Sequence, residues 1–289
     1  MRRILPIFAL LLPTMAIAAP GPSEIVAHAP DTAWADVPAD RLLVMTLGDG
    51  SRIPIELAPQ FAPAHTGNII RLARAHRWDG GAIIRVQDDY VVQWAPHDEK
   101  ASLPTGFIAH PPAEYDRPRQ GIAVRPLGFS DPYAPAAGFA AGWPVGMDQD
   151  RVWLAHCYGM IGVARDMPPD TGDGQELYAV NGEAPRQLDR NLALVGRVLT
   201  GMDHLGALPR GTGTLGFYTN NTGKIAIRTI MLATDLPPRQ QPHLQVMRTD
   251  SPAFSAYLDA RANRTDPFYV HPAHGVALCN VPVPTRAKP

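Results

Sequence analysis

Proline occurs 31 times in this chain of 289 residues. It has no N–H to donate and its ring fixes φ, so it interrupts helix interiors and the middle strands of sheets. With 25 glycines beside the prolines, the chain is confined to short elements joined by long loops. An apolar fraction of 45% is enough for a proper core, which argues against pervasive disorder. Basic and acidic residues nearly cancel, 26 against 27, for a formal charge of −1. The chain therefore has no broad electrostatic attraction to nucleic acid or to an anionic membrane.

Arg2 and Arg3 precede an apolar stretch from Ile4 to Ile17, and Ala16-Ile17-Ala18 supplies a small-x-small cleavage site. Residues 1–18 therefore read as a signal peptide removed on export. The apolar run falls short of the ~20 residues needed to cross a bilayer, so no membrane span is expected once it is gone. The expected location is the periplasm or the exterior. The two cysteines, Cys157 and Cys279, would then meet an oxidising environment. A bridge from tail to core and two separate buried thiols are both open at this level.

Residues 19–40 are rich in alanine and proline without periodicity and read as a linker. A domain follows over 41–235. Its first half reads strand, strand, helix, strand, strand: Leu42 to Leu47, a Gly48-Asp49-Gly50 turn, and a returning run through Ile53, Ile55 and Leu57 in which Pro54 implies a bulge or an edge. A helical pattern over Ala64 to His76 begins after Pro63. Strands Ala82 to Gln87 and Tyr90 to Ala95 then flank an Asp88-Asp89 turn. Between 96 and 158 prolines punctuate the sequence and regularity fades, which suggests an elaborated loop insertion. Strand-like runs return at Met160 to Ala164, Leu177 to Val180, Leu192 to Val198 and Ile225 to Leu232, with a short helix expected over Gly201 to Leu208. Pro237-Pro238 marks the start of a C-terminal extension, 236–289. Within it Ser251-Pro252 is a helix start, and Val276 to Val283 is a candidate strand.

The most informative stretch is Gly80-Gly-Ala-Ile-Ile-Arg-Val-Gln-Asp-Asp-Tyr-Val-Val-Gln93. It resembles the signature of cyclophilin-type peptidyl-prolyl cis-trans isomerases, in which an arginine-bearing strand turns and returns with an apolar pair and a glutamine. Ile55-Glu56-Leu57, Ala62-Pro63, Asn68 and Trp78-Asp79-Gly80 upstream are similar to the same family. So are Gly159-Met-Ile-Gly-Val-Ala164, Thr171 to Gln175, Leu188-Asp189 and Val195-Gly196-Arg197-Val198 downstream. The resemblance runs from about 41 to 232 in the family's order.

It implies a mainly β fold, a closed antiparallel barrel of eight strands capped by two helices, with the insertion and the extension added. It also implies an isomerase acting on X-Pro bonds of exported proteins, with no cofactor and no metal. The barrier to rotation about an amide, about 18–20 kcal/mol, reflects delocalisation of the nitrogen lone pair. A donor at the prolyl nitrogen would localise that pair. By the resemblance Arg85 is the catalytic donor and Gln93 its partner, while Tyr90, Val91, Ala164, Arg165, Gln175, Leu177, Leu188 and Leu192 line the substrate groove. The chain departs from the family at several positions: Ile84 stands for a histidine, Arg165 for an asparagine, Leu177 for a phenylalanine, Gln187 for a tryptophan and Leu192 for a distal histidine. These changes leave open a catalytically weak or inactive relative, serving as a proline-peptide binding module or scaffold.

Other motifs carry less. His271, His274 and Cys279 lack zinc-finger spacing, and Asp170, Asp173 and Glu176 do not follow a calcium loop. Gly211-Thr-Gly213-Thr-Leu-Gly216 matches a dinucleotide fingerprint only formally, because Pro209 precedes it where a strand is required. No Gly-x-Ser-x-Gly elbow of a serine hydrolase occurs.

Overall fold

The computed structural model describes residues 19–98, 100–219, 224–266 and 268–289; the expected signal peptide lies outside them. In chain order the elements are α1 (Pro22–Ala27), β1 (Trp34–Asp36), β2 (Leu42–Leu47), β3 (Arg52–Leu57), α2 (Pro63–Arg74), β4 (Ala82–Val86) and β5 (Val91–Ala95). The region between the barrel halves adds β6 (Arg117–Pro118), β7 (Arg125–Pro126), β8 (Ala136–Ala140), β9 (Trp143–Met147) and β10 (Arg151–Leu154). Then come β11 (Met160–Val163), β12 (Leu177–Val180), β13 (Leu194–Val198), α3 (Met202–Gly206), β14 (Ile225–Leu232), β15 (Leu244–Met247), α4 (Pro252–Ala262) and β16 (Thr285–Ala287).

Eight strands close a barrel in the order β11-β12-β5-β4-β14-β2-β3-β13, and every pairing is antiparallel. Its interior is filled by side chains, among them Trp94, Ile161, Val163, Leu177, Ala179 and Val195, so it is a packed core and not a pore. The outward positions of the same strands, including Val91, Tyr178, Val180, Met160 and Leu194, belong to a second core. Both faces of this wall are buried, which is why its strands read as continuous apolar runs. Pro54 lies inside β3, opposite Val44, and not at a bulge. Its carbonyl accepts from Leu199 N at 2.9 Å. The return bond is impossible for proline, and the Leu199 carbonyl is taken by Thr285 Oγ1 at 3.0 Å.

Three expectations are corrected by the additions to the barrel. The insertion is not an irregular loop: β6 to β10 form a five-stranded antiparallel sheet in the order β6-β10-β9-β8-β7. The 19–40 segment is not a bare linker, because it carries α1 and β1, and β1 pairs with β15 in a terminal sheet β1-β15-β16. The expected strand at Val276 to Val283 is a 3-10 turn at Leu278–Asn280, and the strand falls later, at β16. Phe139, Trp143, Met247, Phe254 and Leu278 of the two added layers pack with the outward barrel residues in one core. Ser251 caps α4 by accepting from Phe254 N at 3.1 Å. Cys157 and Cys279 are bonded, tying the extension to the barrel. Among the described residues no helix is long and apolar enough to cross a membrane.

Candidate functional site

An open groove of about 740 Å3 runs over the outer face of β4, β5 and β12. Of the residues that the sequence proposed, Arg85, Gln93, Tyr90, Val91, Ala164, Arg165, Gln175, Leu188 and Leu192 all border it. Leu177 does not. It is 2% exposed and belongs to the barrel interior, where it pairs with inward-facing Trp94. Because side chains alternate along a strand, the outward residue is its neighbour Tyr178, which pairs with Gln93 and forms the groove floor. Gly162 lies across from that ring in β11. A Cβ there would sit 2.2 Å from the Tyr178 hydroxyl, so only glycine leaves room.

Arg85 is placed by the β4–β5 hairpin, whose register shifts between Ile83 and Arg85. Its Nε donates to the Leu215 carbonyl at 2.6 Å, its Nη1 to Gln93 Oε1 at 3.4 Å and its Nη2 to Gln87 Oε1. The guanidinium is flanked by the rings of Tyr90 and Phe217, each with its centroid 5.2 Å away. Partial burial lowers its pKa from the ordinary value, yet a guanidinium remains charged under any working condition. Of its five N–H groups, these bonds leave one on each terminal nitrogen without a hydrogen-bond partner among the described residues. Gln93, in turn, donates through Nε2 to Glu176 Oε2 at 2.7 Å.

Tyr178 is held from beneath. Its hydroxyl lies 3.0 Å from His156 Nε2, and His156 Nδ1 lies 2.9 Å from Asp189 Oδ1. Burial lowers the His156 pKa more than Asp189 raises it, and burial pushes the Tyr178 phenol well up. A neutral imidazole that donates from Nδ1 and accepts from Tyr178 at Nε2 satisfies all three groups. Asp189 also accepts from Arg186 Nε at 2.9 Å, and Arg186 Nη2 reaches Asp131 at 2.8 Å.

The far wall is built from loops. Gln175 is engaged at both ends of its amide: its Oε1 accepts from Arg77 Nε at 3.0 Å and from Nη2 at 2.6 Å, and its Nε2 donates to Asp173 at 2.8 Å. Arg165 donates to the Asn191 carbonyl at 3.1 and 3.0 Å and lies 5.8 Å from the Tyr115 ring. The insertion contributes Ala109 and His110, on an arm fixed by three anchors. Asn68 exchanges bonds with Ile108 at 2.8 and 2.9 Å, Thr171 Oγ1 donates to the Pro111 carbonyl at 2.6 Å, and Glu114 accepts from Ala64 N at 2.8 Å and from His65 N at 3.0 Å. Glu114 therefore caps α2, whose own N-cap residue, Ala62, has no side chain able to do so.

Leu215, Phe217, Tyr178, Ala109, His110 and Glu176 border the groove without having been singled out as its residues. Phe217 carried the only sequence signal, an aromatic beside a glycine-rich loop. No ordinary pattern marks Leu215, which acts through its carbonyl. The rejected dinucleotide motif is this loop, and it packs on Arg85.

Comparison with known proteins agrees with this architecture. Residues 42–230 match the family model of the cyclophilin type peptidyl-prolyl cis-trans isomerase/CLD. The crystal structure of cyclophilin AquaCyp293 from Hirschia baltica superimposes with a TM-score of 0.70 at 24% identity, over 91% of this chain and 96% of that one. A cyclophilin type peptidyl-prolyl cis-trans isomerase from Cryptosporidium parvum, crystallised in the presence of the dipeptide Ala-Pro, gives 0.42 at 13% identity, over 66% of this chain and 98% of that one. No curated protein matches the chain.

Proposed function

Because this chain belongs to the cyclophilin-type peptidyl-prolyl cis-trans isomerase family, we propose that it catalyses rotation about X-Pro bonds of exported proteins, with Arg85 as the donor to the prolyl nitrogen. The observation that carries the reading is the Arg85 guanidinium itself, clamped between two rings and two glutamines at the wall of an apolar-floored groove, with an N–H on each terminal nitrogen that has no partner among the described residues. The clamp fixes its direction before substrate arrives, so little reorganisation is needed when the imide twists. Tyr90, Val91, Tyr178 and Leu192 offer the surface on which a proline ring would sit. Gln93 positions Arg85, and its second bond, to Glu176, fixes which way its amide faces.

A twisted X-Pro bond has a pyramidal nitrogen that accepts a hydrogen bond, whereas the planar ground states have none to accept. Donation from Arg85 therefore stabilises the transition state selectively, which is the requirement for catalysis. A hydrogen bond to a charged group contributes about 1.5–3 kcal/mol, equivalent to a rate factor of about 10 to 150. Arg85→Ala should slow isomerisation of an Ala-Pro test peptide by that factor with the fold intact, and Arg85→Lys should not restore the rate, since an ammonium lacks the fork that the clamp holds. An unchanged rate in Arg85→Ala would end the catalytic reading and leave a proline-peptide binding module. Export is supported by the leader-like residues 1–18 and by the Cys157–Cys279 bridge, which suits an oxidising compartment. The periplasm or exterior is accordingly the proposed location.

A further inference from the structure

A second cleft, of about 930 Å3, opens where the barrel, the five-stranded sheet and the terminal sheet meet. Clefts of this size at the junction of structural units are typical of ligand sites. Val37, Phe61, Ile122, Phe139 and Val246 give it apolar walls. Five arginines border it, Arg41, Arg117, Arg125, Arg197 and Arg248, against three carboxylates, Asp36, Glu56 and Asp250.

Each carboxylate is already matched: Asp36 by Lys288 at 2.6 Å, Glu56 by Arg197 at 2.7 Å and Asp250 by Arg248 at 3.1 Å. Three guanidiniums are left over. Among the described residues Arg117 reaches only the backbone carbonyl of Gln60. Arg41 makes no side-chain hydrogen bond or ion pair among the described residues. Arg125 lies 5.8 Å from the Phe254 ring, and its buried Nε has no acceptor among the described residues. The Gln60 side-chain oxygen is also buried, and it has no donor among the described residues. Polar atoms withdrawn from water without partners cost stability unless a ligand supplies them. The cleft therefore lacks an anion for its guanidiniums and an N–H for Gln60, on an apolar bed.

We propose that this cleft binds the free carboxyl end of a peptide. A terminal carboxylate matches the planar donors of Arg125, Arg117 and Arg41. The peptide N–H next to it is the donor that Gln60 lacks, and an apolar last side chain suits Phe61 and Phe139. An inorganic phosphate would meet the arginines but offers neither the N–H nor the apolar body.

Calorimetric titration of the full chain with acetyl-Ala-Leu-Phe, a proline-free peptide with a free carboxylate, tests this. One-to-one binding is expected, weakened at least tenfold when the peptide ends in a carboxamide and at least tenfold in Arg125→Gln. Arg41→Gln, at an exposed guanidinium whose loss leaves packing unaltered, should weaken it several-fold. Arg85→Ala should leave it unaltered, because the groove lies elsewhere. No binding, equal binding of acid and amide, or loss of binding in Arg85→Ala would overturn the proposal. Decanoate binding as tightly as the peptide would overturn it in favour of a fatty-acid site.

Discussion

The two sides of one barrel wall are built on opposite chemistry. Inward, β5 and β12 present Val92, Trp94, Leu177 and Ala179 to a hydrophobic core, in which the Trp94 indole Nε1 is a buried donor with no acceptor among the described residues. Outward, the neighbouring positions present Val91, Gln93, Tyr178 and Val180. The groove lies there, and beneath it runs a buried polar chain from Tyr178 through His156, Asp189 and Arg186 to Asp131. The inner face needs only volume and shape, so its residues specify the fold. The outer face holds titratable groups out of water, which is tolerable only where each meets a partner, and the added sheet and extension supply that cover. Asp131 and the disulfide-bonded Cys279, both within reach of Arg186, come from those added layers. The additions are therefore part of what makes the outer face of the barrel possible.

Truncation of an inward residue should break this contrast most visibly. Trp94 is fully buried, and Trp94→Ala is expected to cost about 3–5 kcal/mol in urea unfolding. Gln93→Ala, one residue along and facing out, should cost less than half of that and act mainly on the isomerisation rate through Arg85. Equal losses of stability from both would show that the two faces share one energetic role. Next in size is the bridge. Replacing Cys157 and Cys279 by serine opens a covalent loop with a sequence separation of 122, for an expected loss of about 2–4 kcal/mol. Amide exchange should accelerate first in β15, β16 and α4, while β5 and β12 keep their protection. Simultaneous loss in all of them would merge the two layers into one cooperative unit.

The barrel was legible in the sequence because its strands are apolar, of ordinary length and separated by turn residues such as Asp88-Asp89, where Asp89 adopts φ +49°. The five-stranded sheet was not. Two of its strands are two residues long and end in Pro118 and Pro126, β9 contains Pro144, and β8 reads Ala-Ala-Gly-Phe-Ala, so propensity and period were both silent. Only long-range packing makes these segments strands. In the groove, the positions within one hairpin, Arg85, Tyr90, Val91 and Gln93, were readable because local register fixes them together. Leu177 was misplaced because a wall buried on both faces shows no alternation from which to tell inward from outward. The Leu215 carbonyl had no signal at all, since every residue carries one.

The smallest expected effect concerns the arm that brings Ala109 and His110 to the groove. Burial would raise the Glu114 carboxyl, but the His65 ring at 2.7 Å and the N–H groups of His65 and Ala64 outweigh it and hold the pKa below its ordinary 4.5. A carboxyl whose folded pKa is depressed contributes stability that is complete above the unfolded value and is lost as pH falls through the folded one. The arm should thus stay docked at neutral pH and loosen only in acid, below about 4.5. Glu114→Gln keeps the shape but removes the charge that faces His65 and the α2 N-terminus, for an expected loss of about 1–2 kcal/mol. Exchange of the Ile108 N–H, which is held by Asn68 at 2.9 Å, reads the arm directly. Corrected for the intrinsic exchange rate, its protection should be reduced at every pH in the variant, and in the wild type reduced only in acid. A wild-type arm equally protected on both sides of that range would mean that Asn68 and Thr171, and not Glu114, hold it against the barrel.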